Sequence, residues 1–116
     1  MILVVDDAPA NIDILLAALD GIDEIAVALD GEEALEIIKE EKPDLVLLDI
    51  VMPGIDGFEV CKRVKNNPDT SAIPVIFLSG NDSDEEKSKG MELGAVDYLT
   101  KPIDPDLLIS KVKAFV

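Results

Sequence analysis

The sequence has no histidine, no tryptophan and a single cysteine, and its apolar runs are short. Without histidine, the usual general base and the commonest metal ligand are absent. One cysteine excludes an intrachain disulfide and a zinc-ribbon pattern, and suits a reducing compartment. Because the longest apolar runs have the length of strands, the sequence predicts neither a transmembrane helix nor a signal peptide.

Acidic residues are abundant instead, since 25 Asp and Glu against 10 Lys and Arg give a formal charge of −15. The length of 116 residues, with 48% hydrophobic and 30% charged residues, predicts one soluble globular domain with a hydrophobic core. Such a negative surface repels phosphate backbones and anionic lipid, so we expect no direct binding to nucleic acid or membranes. Cations and basic partners are the favoured ligands.

Hydrophobic periodicity alternates between strand and helix patterns along the whole chain, in five strand–helix pairs. The predicted strands are residues 2–5, 25–28, 45–48, 74–78 and 96–99, and each precedes a helical pattern. Helix starts are marked by Pro9, by three capping pairs and by a final Asp-Pro step; the pairs are Asp30/Glu33, Asp56/Glu59 and Ser83/Glu86, and the step is Asp104-Pro105. The last helix is expected to bury Leu108, Val112 and Phe115 on one stripe.

Five strands that alternate with helices over short connections predict an α/β fold with a parallel sheet and helices on both faces. A single open, doubly wound sheet of five strands fits the flavodoxin-like strand order 2-1-3-4-5. In such sheets, ligands bind beyond the carboxyl ends of the strands, where the strand order reverses.

Chemically active side chains follow the predicted strands at this edge. Asp6 and Asp7 follow the first strand, Asp49 the third and Ser79 the fourth, and Lys101 comes after the fifth. Carboxylates about 5 Å apart repel by roughly 3 kcal/mol per pair at an effective dielectric near 20, so three of them take up protons or a cation. Mg²⁺ is the natural occupant of a site with hard oxygen ligands. Carboxylates, a metal, a lysine and a hydroxyl together suit phosphoryl transfer.

Three segments of the sequence resemble the receiver domain of two-component response regulators. They are residues 4–7 (VVDD), 47–57 (LLDIVMPGIDG) and 94–102 (GAVDYLTKP), and the resemblance covers essentially the whole chain. It implies one receiver domain over residues 1–116, with no output domain in this chain. It also implies a cytoplasmic signalling protein of bacterial or archaeal type that turns over no separate substrate.

The resemblance also implies roles for individual residues. Asp49 is implied to be the phosphoacceptor. Asp7 is implied to bind Mg²⁺ directly, with Asp6 assisting, and Asp49 and the backbone carbonyl of Val51 complete the metal ligands. Mn²⁺ or Ca²⁺ could substitute for Mg²⁺ in a crystal.

Ser79 and Lys101 are implied to bind the phosphoryl oxygens, and the Lys101–Pro102 peptide bond is implied to be cis. Tyr98 is implied to act as a switch that moves when Ser79 is drawn to the phosphoryl group. Val51 and Asn81 occupy positions that tune the phosphoryl lifetime in the family.

The implied partners are a sensor histidine kinase or a phosphotransfer protein, together with an output domain or protein that the sequence does not identify. The segment 84–90 is polar nearly all round and contains Gly90, which predicts a weakly packed fourth helix. Weakly packed elements are where switching motions occur. We therefore expect the fourth helix, the fifth strand and the fifth helix to form the output surface, and a homodimer could pair through it.

Other functions compatible with this fold fit the sequence less well. A flavodoxin-like electron carrier needs a hydroxyl- and glycine-rich loop after the first strand, where residues 6–9 read DDAP. A phosphatase of the haloacid dehalogenase type needs a second Asp two residues after the first, and Val51 stands there. A receiver that cannot be phosphorylated is disfavoured because Asp7, Asp49, Ser79 and Lys101 are all present.

Overall fold

The computed structural model describes residues 1–80 and 83–116 and contains one parallel sheet with five helices among them. The strands are β1 (Ile2–Val5), β2 (Ile25–Ala28), β3 (Leu45–Asp49), β4 (Val75–Ser79) and β5 (Asp97–Thr100). The helices are α1 (Pro9–Ala18), α2 (Gly31–Glu41), α3 (Gly57–Asn66), α4 (Asp84–Glu92) and α5 (Pro105–Lys113). The strand order β2-β1-β3-β4-β5 confirms the predicted doubly wound α/β fold. None of the described helices has both the length and the apolar character needed to cross a membrane.

The strand register brings the predicted site residues to one edge of the sheet. Val5 pairs with Leu48, so Asp6 and Asp49 follow neighbouring strands at the same level. Ser79 ends β4 and pairs with Thr100, which directly precedes Lys101. The backbone N–H of Lys101 donates to the carbonyl of Ser79 over 2.6 Å, which fixes the chain at this point.

Two apolar layers cover the two faces of the sheet, because alternate strand residues point to opposite sides. One layer packs the sheet against α2 and α3, and the other packs it against α1 and α5. The central strands β1, β3 and β4 are buried along their whole length, as expected for parallel strands that are covered on both faces. The site edge therefore rests on the fully buried centre of the sheet.

Side-chain caps begin the helices where the sequence predicts them. Asp30, Asp56 and Ser83 each accept a hydrogen bond from the backbone N–H three residues later. Asp104 accepts from the N–H groups of Asp106 and Leu107 at the start of α5. Each such cap contributes about 1 kcal/mol to helix stability.

The observed elements differ from the predicted ones at the edge of the sheet and at the end of the chain. Strands β4 and β5 each begin and end one residue later than predicted, because their ladder runs from the Ile76–Asp97 pair to the Ser79–Thr100 pair. The prediction that Phe115 is buried on α5 was wrong, since the helix ends at Lys113 and Phe115 is 37% exposed. Leu108 and Val112 are fully buried as predicted.

Candidate functional site

Three carboxylates meet at the carboxyl edge of the sheet between β1 and β3. Asp6, Asp7 and Asp49 each present a carboxylate oxygen, and these oxygens all lie within 4.8 Å of one another. Asp6 is fully buried and Asp49 is 6% exposed, whereas Asp7 is exposed. The sequence predicted this convergence, because neighbouring parallel strands end at the same edge. The cluster is thus anchored by two buried acids and opens to solvent at the third.

Lys101 brings a positive charge to the two buried acids. Its Nζ lies 3.2 Å from Oδ2 of Asp6 and 3.3 Å from Oδ1 of Asp49. The other carboxylate oxygen of Asp6 accepts from the backbone N–H of Ala8 over 2.9 Å. The Lys101–Pro102 peptide bond is cis. One ammonium group therefore bridges the ends of β1 and β3 from the loop that follows β5.

The electrostatic balance of these four groups is negative. Three carboxylates and one ammonium sum to −2 when all are ionised. Burial raises the pKa of Asp49 above its ordinary value, and the charge of Asp6 adds to that rise, although Lys101 acts in the opposite direction. The folded site therefore holds Asp49 in its charged form at a cost in free energy, which a bound cation would reduce.

The donor set fits a hard divalent cation. All three acids offer carboxylate oxygens, which are the ligands that Mg²⁺ prefers, and the exposed Asp7 leaves one side of the cluster accessible to solvent. Mg²⁺ usually takes one or two protein carboxylates and keeps several waters, so three acids are sufficient without further protein ligands.

Ser79 and Tyr98 are linked through a residue of α4. The Ser79 hydroxyl donates to Oε1 of Glu86 over 2.5 Å, and the Tyr98 hydroxyl donates to the same oxygen over 2.9 Å. Ser79 is 3% exposed and Tyr98 is half-buried. The sequence pattern assigned Glu86 only a capping role, and its N–H does donate to Oγ of Ser83. Because the capping pattern already explained Glu86, the sequence did not predict that its carboxylate also accepts hydrogen bonds from Ser79 and Tyr98.

The sequence also singled out Val51 and Asn81. Val51 lies two residues beyond β3 and is 77% exposed. Its backbone carbonyl remains a predicted metal ligand. Asn81 lies outside the described residues.

Sequence reasoning also missed Gly57, where a Cβ atom would overlap the backbone carbonyl of Asp49 and approach Cα of Ile50 to 2.8 Å. Only glycine allows the start of α3 to lie this close to the candidate phosphoacceptor.

Helix α4 has a small apolar contact with the sheet, as its polar sequence predicted. Gly90 is its only buried residue, and a Cβ atom there would lie 2.8 Å from the Phe77 ring. Gly90 therefore lowers helix propensity and also allows a close approach to β4. Two lysines on the polar faces of α4 contact aromatic rings. Nζ of Lys89 lies 4.5 Å from the centroid of the Phe58 ring, and Nζ of Lys87 lies 5.7 Å from the centroid of the Tyr98 ring.

Known proteins similar to this chain are receivers or contain one. The chain is 44% identical over 114 residues to the response regulator PleD of Caulobacter vibrioides, covering 97% of this chain and 25% of that protein. It is 50% identical over 111 residues to a probable cyclic di-GMP phosphodiesterase of Vibrio cholerae, covering 96% and 25%. The solved receiver domain of the Francisella response regulator 1452 superposes with a TM-score of 0.91 at 35% identity, covering 98% and 93%.

This chain spans about a quarter of the length of the two curated relatives, so their activities as whole proteins are not those of this domain alone. The family described as response regulator receiver domain matches residues 2–113. Its members are phosphoryl-accepting switches of two-component signalling systems, and the acidic cluster fits their phosphorylation site. The fold, the cluster at the strand ends and this match together establish that the chain belongs to the response regulator receiver domain family.

Proposed function

We propose that Asp49 accepts a phosphoryl group from a phosphohistidine of a partner protein and that this modification switches the domain. The observation that carries the proposal is the position of Asp49, which lies within 4.8 Å of two further carboxylates and 3.3 Å from the ammonium of Lys101. A carboxylate serves as a nucleophile for phosphoryl transfer when nearby cations reduce its repulsion from the phosphoryl oxygens.

In the proposed reaction, a carboxylate oxygen of Asp49 attacks phosphorus and forms a P–O bond. The P–N bond to the partner's imidazole breaks, and its electron pair stays on the imidazole nitrogen. Asp6, Asp7 and Asp49, with the carbonyl of Val51, hold Mg²⁺, which supplies charge neutralisation for the phosphoryl oxygens. Lys101 and Ser79 donate hydrogen bonds to those oxygens. Water later attacks phosphorus, the P–O bond to Asp49 breaks, and inorganic phosphate leaves, which restores the Asp49 carboxylate and resets the switch.

The test is the intact mass of the protein after incubation with Mg²⁺ and acetyl phosphate. One added phosphoryl group is expected in the wild-type protein, and none in Asp49→Asn or in the presence of a chelator. Asp56→Asn is a matched control, because Asp56 lies on the same β3–α3 segment but caps α3. An adduct in Asp49→Asn that is equal to the wild type would refute the assignment of the phosphoacceptor.

The partners and the output follow from the same proposal. A sensor histidine kinase or phosphotransfer protein supplies the phosphoryl group in the cytoplasm, and the domain turns over no separate substrate. Residues 1–116 act as one receiver domain, and its output is transmitted through the surface of α4, β5 and α5, through which two copies could also pair. The formal charge of −15 supports a protein partner rather than nucleic acid or a membrane.

A further inference from the structure

The carboxylate of Glu86 occupies the point where three elements meet. Its Oε1 accepts hydrogen bonds from the hydroxyl of Ser79 at the end of β4 and from the hydroxyl of Tyr98 on β5. Glu86 itself lies in the first turn of α4, where the Ser83 cap fixes its backbone. One oxygen atom therefore joins Ser79, which is proposed to bind the phosphoryl oxygens, with Tyr98 on the candidate output surface.

The direction of these hydrogen bonds has a chemical consequence. An ionised carboxylate can only accept, so each hydroxyl must supply its single hydrogen to Glu86. A serine hydroxyl that donates to Glu86 cannot donate the same hydrogen to a phosphoryl oxygen. Hydrogen bonds to a charged acceptor are also about twice as strong as neutral ones. Phosphorylation therefore competes with Glu86 for the hydrogen of Ser79.

Repulsion adds to this competition. A phosphoryl group on Asp49 carries about 1.5 to 2 negative charges where the carboxylate carried one, so the region near the end of β4, where the Glu86 carboxylate is held against Ser79, becomes more negative. Like charges in a partly buried region repel more strongly than in bulk water, because the effective dielectric is lower there. Both effects favour withdrawal of the Glu86 side chain when the phosphoryl group is present.

We propose that Glu86 is a positioning residue that holds Ser79 and Tyr98 in the unphosphorylated arrangement and that the phosphoryl group must displace it. This inference rests on the proposed function of Asp49 and goes beyond it by naming the group that resists activation. Movement of Glu86 away from Ser79 also takes the acceptor away from the Tyr98 hydroxyl, since both hydroxyls donate to the same oxygen. Displacement of one carboxylate therefore couples the phosphoryl site to β5 and α4.

The test measures the affinity of the protein for beryllium trifluoride, a phosphoryl mimic, at saturating Mg²⁺ in wild type, Glu86→Ala and Glu86→Gln. We expect Glu86→Ala to bind about tenfold more tightly, the change that corresponds to one lost charge-assisted hydrogen bond. Glu86→Gln keeps an acceptor but loses the charge, so its affinity should fall between the two. Glu85→Gln is the matched control, because its neighbouring side chain is exposed, and it should stay within about twofold of wild type.

A second comparison separates positioning of Ser79 from a general effect on α4. In a Ser79→Ala background no serine hydroxyl remains to be released and only the charge repulsion is relieved, so adding Glu86→Ala should raise the affinity for beryllium trifluoride clearly less than it does in the wild-type background. An equal gain in both backgrounds, or no gain in the wild-type background, would overturn the role of Glu86. A wild-type protein that binds no beryllium trifluoride would contradict the proposed function of Asp49 instead.

The Tyr98 contact can be tested without any ligand. Tyr98 is the only tyrosine and the chain has no tryptophan, so the intrinsic emission of the protein reports on this one ring. A phenol that donates to a carboxylate is quenched by proton transfer in the excited state, so Glu86→Ala should emit more strongly than Glu85→Gln. Equal emission from the two variants would show that the Tyr98–Glu86 hydrogen bond does not form in solution, which overturns the proposal.

Discussion

Removal of the Lys101 ammonium should destabilise the domain strongly, and Mg²⁺ should restore most of the loss. The Nζ atom lies 3.2 Å from Asp6 and 3.3 Å from Asp49, so each attraction is about 5 kcal/mol at an effective dielectric near 20. Desolvation offsets part of this attraction, and breaking a buried ion pair costs about 3–5 kcal/mol when the partner stays charged. Because the Lys101 side chain is 22% exposed, we expect the lower end, about 3 kcal/mol for Lys101→Met.

The assay is urea unfolding at pH 7, first with a chelator and then with Mg²⁺ in excess. A loss of about 3 kcal/mol is a large share of the 5–15 kcal/mol typical of a domain, and corresponds to a fall in Tm of about 10 °C. Lys113→Met is the matched control, because Lys113 is exposed on α5, and it should change stability by less than about 0.5 kcal/mol. Mg²⁺ should stabilise Lys101→Met more than wild type, since the cation then faces carboxylates without their ammonium. Equal stability of the two lysine variants without Mg²⁺ would refute the reasoning.

Three further predictions concern single residues. Because burial raises the pKa of Asp49 in the folded protein, stability falls as the pH rises from the ordinary Asp pKa through the raised one, so Asp49→Asn should stabilise the metal-free protein at pH 7. That gain in stability should vanish in unfolding curves measured below the ordinary Asp pKa of 3.8. A gain that is the same at every pH would show that the ionisation of Asp49 is not its cause. Gly57→Ala should destabilise by more than about 2 kcal/mol because its Cβ overlaps the Asp49 carbonyl. At Gly80 no atom of the described residues lies within 4 Å of an added Cβ, so Gly80→Ala should unfold within about 1 kcal/mol of wild type. Burial raises the pKa of the Cys61 thiol, so a thiol reagent should modify it in the native protein far more slowly than in urea; equal rates would place Cys61 outside the core.

The fold could be predicted from the sequence because its signals are local and agree with one another. Three apolar runs with β-branched residues form the buried strands β1, β3 and β4, and the caps at Asp30, Asp56 and Ser83 begin helices where expected. The sequence predictions were wrong where contacts between distant parts of the chain, and not the local pattern, set the ends of an element. The ladder between β4 and β5 shifts both strands by one residue, and Phe115 follows the end of α5 although its spacing suits the buried stripe.

The candidate site could be predicted in part, because the strand order places some of its residues together. Residues that follow neighbouring parallel strands must meet at one edge, so the convergence of Asp6, Asp7 and Asp49 needs only the strand order. The contact of Glu86 with Ser79 and Tyr98 depends on how α4 lies against β4 and β5. No periodic pattern specifies that placement, and the Ser83/Glu86 pair has a sufficient local explanation as a cap.

Both groups proposed to receive the phosphoryl oxygens are bound to carboxylates in the unphosphorylated protein. The ammonium of Lys101 contacts Asp6 and Asp49, and the hydroxyl of Ser79 donates to Glu86. Once an oxygen of Asp49 is phosphorylated, that carboxylate loses its charge and its attraction for Lys101, so the ammonium can bind the phosphoryl oxygens while it keeps its contact with Asp6. Ser79 has no such release, because the charge of Glu86 persists. The Lys101 contact therefore favours completion of the reaction, whereas the Glu86 contact opposes the switch, and variants of the two residues should shift activation in opposite directions.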